Sequence, residues 1–489
     1  LSSSLRTARA RSRQLVRDAA YAKRAKNIVQ NNVVGSGIGM QAQVMTSRKT
    51  LNDRVNDDIE AVWKQWCSAS SCHTGGSLHF SDLERVCIGE IFETGEIFLR
   101  KHRRAFGDSK VPFALEVIEP ERIADEVQPN ALMNSAVRLG IEVDQFYRPV
   151  AYLIRTSHPG DMRLTAEQTT QIERVPASDI LHLRIIDRWP QTRAIPWMHA
   201  AARKLNDMDG LTEAEITAAR AAACYMGFIQ PPAEDVSSFG TEQENGSVQD
   251  ELEPAVMHKL LPGETFKEFA PNRPNSQLDP FMRMMLREVA AGVGCSYESL
   301  SRDYSQSNYS SSRLALLDDR DLWLFLQCWF IRGLRHLIHK EWLQQAVLSR
   351  AVTAVAIDEY ALAPEKFEAV RFKPRGWSWI DPTKEVEAYK EAIRCGFTTV
   401  SDVIAKTANG RDIEDILNER RMELDMMESK GLMFETDPAA DAKLNPQPTV
   451  AAKPAEDSKE PKDPAEEDPA VATAEKMLRD QSRRGVAHG

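Results

Sequence analysis

Five serines crowd between positions 305 and 312, namely Ser305, Ser307, Ser310, Ser311 and Ser312. Hydroxyls in that density suit either a nucleophile for acyl transfer or a set of hydrogen-bonding groups for a polar partner. Acyl transfer needs a base in reach and a pair of amides for the oxyanion. No glycine-rich turn adjoins these serines, GxSxG and HExxH are absent, and the ten histidines do not cluster with nucleophiles. The P-loop pattern GxxxxGKS/T is also absent, which excludes a P-loop ATPase. Cys67, Cys72, His73 and Cys87 form the one group with metal-ligand chemistry, but their spacing lacks Cys-x2-Cys, so packed or surface thiols are expected. Asp318, Asp319 and Asp321 beside Arg313 and Arg320 read as a solvated helix start rather than a metal site. Gly35, Gly37 and Gly39 lack the strand and helix of a dinucleotide fold. No catalytic residue, cofactor site or metal site is expected.

The serines need elements to hold them. Upstream, Phe281, Met285, Val289 and Val293 stand four apart and predict a helix ended by Gly292 or Gly294. Arg283 and Arg287 share a face of it, which calls for negative charge from a neighbouring subunit, a nucleic acid or water. Residues 295–312 then carry almost no aliphatic side chain and read as a long polar loop. Downstream, Leu322, Trp323, Leu324, Phe325, Leu326, Trp329, Phe330 and Ile331 predict a helix apolar nearly all round, hence buried on several sides. It is too short to span a bilayer.

The run YESLSRDYSQSNYSSSR, preceded by LREVAAGVG and followed by the aromatic helix, resembles the portal proteins of lambda-type tailed bacteriophages. The likeness extends to RDAAYAKRAKNIVQNNVVGSGI (17–38), EAVWKQW (60–66), GEIFLR (95–100), HKLLPGETF (258–266) and EAIRCGFTTVSDVIAK (391–406), and so covers about residues 6–425 in matching order. The resemblance implies an α+β portal fold. Its parts would be an arm and wing (1–195), a stem helix (196–230), a clip (231–274), a second stem helix (275–294), a tunnel loop (295–312), a long wing helix with the wing return (313–376), a crown (377–430) and a disordered tail (431–489). It implies a ring of about twelve copies around a DNA channel at the capsid vertex, assembled in the host cytoplasm and carried into the virion. The implied partners are double-stranded DNA, the terminase large subunit, a head-tail adaptor, and the major capsid and scaffold proteins. On this reading Arg302, Tyr304, Ser305, Gln306, Asn308, Tyr309 and Arg313 face DNA, where Arg302 and Arg313 either add a weak positive ring or, as expected, pair with Asp303 and Asp318. Trp323, Phe325, Trp329 and Phe330 join neighbouring copies.

At 489 residues the chain exceeds one compact core. Its net charge of -10 argues against a DNA clamp, because tight non-specific binding comes from clustered Lys and Arg on phosphates. A conduit has the opposite requirement: a polar or acidic lining lets DNA slide. Seven scattered cysteines fit reduced thiols. The chain has no signal peptide or membrane-length apolar run, which suggests a soluble intracellular product, and its start at Leu1 suggests processing or trimming.

Arg6, Arg9, Arg11, Arg13, Arg17, Lys23, Arg24 and Lys26 face Asp18 alone in a helix-permissive N-terminal arm. That arm either docks on its own protein as a solvated helix or reaches DNA or an acidic partner, the latter giving an alternative reading as an oligomeric DNA-binding or scaffolding protein. Helices over 51–66 and 80–92, and short strands near 95–100, 113–118, 141–143, 150–154 and 180–186, indicate an α+β domain with an antiparallel sheet. A long helix is expected from Pro196 to Ile229, with a break credible at Gly210, where Thr212 and Glu215 make a capping box. Residues 377–430 read as helical, and beyond Gly431 the composition predicts disorder to about residue 472, with a short helix near 474–484.

Overall fold

The computed structural model describes residues 2–47, 50–127, 136–160, 171–224, 227–230, 241–242, 248–249, 265–268, 277–377, 382–407 and 413–432. The clip expected at 231–274 lies mostly outside the described residues, as do the tail from 433 onward and the short helix expected near 474–484. The fold is mixed α+β. Two arm helices, Ser2–Asp18 and Ala20–Val33, lead into the helices Asp53–Trp66 and Phe80–Thr94.

Two small antiparallel sheets follow. The first orders its strands Ile180–Arg184, Glu96–His102, Ala114–Ile118; the second runs Ala136–Arg138, Ile141–Val143, Pro149–Arg155, Ile172–Pro176. The Glu96–His102 strand shows why both faces read as apolar. Side chains alternate across a strand, so Ile97 and Leu99 enter the main core with the helices while Phe98 enters a second core with Ile118, Ile141, Tyr152 and Val175. Gly95 ends the preceding helix at φ 91°, and a Cβ there would collide with the Ile195 carbonyl, so the chain passes where only glycine fits.

The long helix is His199–Cys224, about 39 Å at 1.5 Å per residue. It runs through Gly210 without a break: Thr212 donates its hydroxyl back to the Met208 carbonyl instead of capping a new start. The expected helical run to Ile229 is also shortened, because Gly227–Gln230 pairs as a strand with Thr265–Glu268. The helix Leu278–Val293 packs on the long helix where Gly292 lets Ala201 approach, a Cβ at Gly292 lying 3.4 Å from it. After the short helix Tyr297–Ser301 and a loop the chain enters Tyr309–Phe330, continues through a π-helical turn at Ile331–Arg335, and runs on as His336–Leu348. Trp342 meets Trp63 edge-on at 4.8 Å between ring centres. Arg335 is anchored on the fully buried Glu84 by a two-pronged ion pair at 2.5 and 2.8 Å. The return strand Val370–Lys373 pairs with Gly39–Ala42. The region beyond 377 contains the helices Pro382–Arg394, Val400–Thr407 and Ile413–Ser429.

Candidate nucleic-acid interface

The polar segment is shorter than its composition suggests. Gly294, at φ 82°, closes the Leu278–Val293 helix, and Ser296 then caps a short helix, Tyr297–Ser301. Asp319, on the next long helix, is buried and receives the Ser296 amide at 2.7 Å and the hydroxyls of Ser296 and Ser299 at 2.8 Å each. The expected solvated start of that helix is therefore corrected at Asp319, which ties the two helices together. Arg302 leaves the short helix in the left-handed region at φ 58°. Asn308 starts the next helix, exchanging a capping box with Ser311. The loop is thus residues 302–308, fixed at both ends.

Within it Asp303 receives the Ser305 amide at 3.0 Å and the Tyr297 hydroxyl at 2.9 Å, and Arg283 lies 3.7 Å away. Ser305 and Tyr297, with Arg283, pull the Asp303 carboxyl down to about 2. Arg283 also pairs with Asp279 at 3.0 Å, and Arg287 lies over the Tyr297 ring at 5.3 Å, so the shared arginine face finds its partners within the chain. Among the described residues no ion pair joins Arg302 to Asp303 or Arg313 to Asp318, so the pairing expected for those arginines is replaced by this Arg283–Asp303 contact. Arg302, Tyr304, Ser305, Gln306, Asn308 and Tyr309 are all exposed, Tyr304 at 60% and Tyr309 at 61%. Arg313 is half-buried at the start of the second turn of the helix.

The aromatic helix sorts into two faces. Trp323, Leu326, Phe330 and Leu334 point into the protomer and are buried there. Trp323 and Phe330 are therefore core residues, which corrects their expected place between copies; a helix apolar on opposite sides does not tell which side its own chain covers. Trp329 is half-buried and packs on the same core. Phe325 remains outside, 60% exposed, and forms an outward stripe with Leu314, Leu317 and Leu324.

Comparison with known sequences bears on such a chain. Residues 1–327 match the family described as "Phage portal protein, lambda family". The chain belongs to the lambda family of phage portal proteins. The probable portal protein of Halomonas phage phiHAP-1 is 30% identical over 84% of this chain and 79% of its own length. The portal protein of Escherichia phage N15 is 23% identical, covering 83% and 82%, and portal protein B of Escherichia phage lambda is 22% identical, covering 86% and 84%. A chain solved in the "Neck of native GTA particle computed with C12 symmetry" aligns at a TM-score of 0.44 and 14% identity, over 81% of this chain and 93% of that one. This protein is thus a portal protein of phage DNA packaging and ejection.

The basic arm of this portal protein is occupied at home. Arg9 reaches the fully buried Glu96, which also binds Arg193 and the Ala194 amide. Burial opposes the Glu96 charge, but Arg193 and Arg9 outweigh it and hold the carboxyl well below its usual range. His182, 3.0 Å from Glu96, is pushed by burial down to about 4. Arg13 spans Glu90 and Glu121, Arg6 meets Asp125 and Glu126, Lys26 meets Glu93, and Arg24 donates to the Ser299 carbonyl at 3.1 Å, just behind the loop. The arm is docked by ion pairs rather than merely solvated, so most of its cations are held within the chain, while Arg11 and Lys23 stay exposed. Composition showed the arm's charge but could not show its carboxylate partners, about 70 to 120 residues away. Cys67, Cys72 and Cys87 are buried; burial pushes the Cys72 thiol up to about 12, and it donates to the Cys67 carbonyl at 3.4 Å.

Proposed function

We propose that about twelve copies of this chain close into a ring at the capsid vertex, and that double-stranded DNA passes through the ring during packaging and ejection with the 302–308 loop facing it. The observation that carries this reading is the loop itself: a short exposed run of hydroxyl, amide and phenol groups, held at both ends by helices rooted in the core. Such groups hydrogen-bond to phosphate oxygens without reading sequence. With Arg302 as the one exposed cation of the run, the loop releases few counterions per copy and guides DNA without gripping it. The ring would present its surfaces to the terminase large subunit, a head-tail adaptor, and the major capsid and scaffold proteins, and would perform no catalysis of its own. No helix of the described residues is long and apolar enough to cross a membrane.

The outward stripe at Leu314, Leu317, Leu324 and Phe325 supports assembly between copies, since an apolar strip of this kind is stable in water when covered. Phe325→Asp places an unpaired charge in that contact and is expected to leave protomers where the wild type gives rings, as read by native mass spectrometry. Rings of unchanged mass and stability from this variant would remove the stripe from the assembly, and a monomeric wild type would remove the ring.

A further inference from the structure

The outward stripe has a chemical counterpart elsewhere on the protomer. Along Tyr309–Phe330, the positions facing away from the core carry Leu314, Leu317, Leu324 and Phe325 with the exposed Asp318 and Asp321 beside them. Arg313 and Arg320 flank the stripe only as half-buried residues, and Arg320 lies over the Trp377 ring at 5.8 Å. The stripe is apolar and acidic.

The second surface lies at the tip of the four-stranded sheet. Phe146 is 64% exposed, Tyr147 45% and Trp189 69%. The Arg138 guanidinium lies over the Tyr147 ring at 4.9 Å, and Arg138 and Leu139 share a cavity of about 180 Å³ with Asp187, Arg188 and Pro190, so Arg138 links the Tyr147 hairpin to the 187–190 segment. Arg148 and Arg188 are exposed there. Asp144 is turned inward on the amides of Phe146 and Arg148 at 2.8 Å each, which leaves Asp187 as the opposing charge. Leu139 and Tyr147 hold left-handed backbone at φ 52° and 63°, which bulky residues rarely adopt without a role for the resulting shape. Exposed Trp, Tyr and Arg together are the composition of an interface centre.

The two surfaces are separated by the helical layer. The Tyr309–Phe330 helix packs on the second arm helix, where Gln327 donates to the Asn32 carbonyl. The arm helices pack on Phe80–Thr94, where Lys26 and Arg13 hold Glu93 and Glu90. Beyond that layer Arg9 and Arg193 share Glu96, and Arg193 donates to the Leu139 carbonyl at the base of the tip.

We propose that the acidic apolar stripe of one copy docks against the arginine-rich aromatic tip of the next. This deepens the ring reading and rests on it. Two unlike surfaces meeting head to tail build a closed ring, whereas one self-complementary patch stops at a dimer. Opposite charge at the rim fixes the register, and the aromatic side chains cover the leucines. The tip receives a second copy of this chain; DNA on the same arginines is the competing outcome.

The test is native mass spectrometry of the full chain across a salt series, with Asp321→Arg, Arg188→Glu and the two combined. Each single variant is expected to lower the ring-to-protomer ratio about tenfold, and the charge-swapped pair to restore most of it. A second measurement uses the exposed Cys328 on the stripe. Oxidised Arg188→Cys rings, or the same rings treated with a short bis-maleimide, should give a ladder of linked copies that Cys328→Ser abolishes and Cys395→Ser does not. Stable wild-type rings with neither an effect of the single variants nor a ladder would overturn the contact while leaving the ring standing. Intact Arg188→Glu rings that lose DNA would overturn it in favour of nucleic acid at the tip. A wild type with no ring would overturn the reading on which the contact rests.

Discussion

The N-terminal arm and the 302–308 loop invite opposite expectations and have opposite fates. The arm carries a dense set of cations, yet Arg6, Arg9, Arg13 and Lys26 end on carboxylates of their own chain. The loop is neutral overall, with Arg302 and Asp303 its two charges, and most of its side chains point outward while its turns and ends are held by hydrogen bonds within the chain. What a segment offers a partner depends on what its own protein leaves unsatisfied, not on how many charges it carries. The arm is a structural clamp and the loop a presented surface.

The largest effect expected from this contrast is on stability. Arg9→Ala leaves the buried Glu96 short of one of its cations and should cost about 3–5 kcal/mol, read by denaturant unfolding of the protomer or of disassembled rings. Tyr304→Ala with Gln306→Ala, at exposed positions, should change stability by no more than about 0.5 kcal/mol. Equal losses from both would break the distinction. A smaller effect belongs to Asp319. Asp319→Ala removes the acceptor for two serine hydroxyls and one amide, should cost about 1–3 kcal/mol, and should speed hydrogen exchange across 296–301 while leaving the arm protected.

A further effect is a pH slope to which the clamp contributes. His182 titrates at about 4 in the folded chain against an ordinary 6.5, so the unfolded chain binds the extra proton first and stability falls as pH drops from about 6.5 to about 4. The Glu96 contribution, from a depressed carboxyl, is fully present above about 4.5 and is lost only at lower pH, as the folded carboxyl itself takes up a proton. Thermal melting between pH 7 and 4 should show this slope, to which the buried His339, pushed by burial down to about 3, adds in the same direction, so His182→Gln should reduce it. An unchanged slope would place the acid sensitivity elsewhere.

Local signals carried much of the helical architecture. The four-residue spacing over 281–293 and the helices at 51–66 and 80–92 follow from apolar periodicity, and the five expected strands stand within two residues of their expected ends. What escaped was non-local. Gly39–Ala42 finds its partner at Val370–Lys373, and Glu96 collects Arg9, His182 and Arg193 from three distant segments; no periodicity records such pairings. The loop is shorter than its composition suggests for a different reason. Ser296 and Asn308 are both good helix starts, and reading them as caps would have left the seven residues that remain outside helices. The aromatic helix was ambiguous in principle: Trp323 and Phe325 differ little as sequence, and only packing decides that one is buried and the other presented.

DNA retention by assembled particles tests the central contrast most directly. Rings carrying Tyr304→Ala with Gln306→Ala should assemble with normal mass and lose packaged DNA, whereas rings carrying Arg11→Glu with Lys23→Glu, which reverse arm cations outside the ion-pair clamp, should assemble and retain it. Normal retention by the loop variant together with loss by the arm variant would contradict the account.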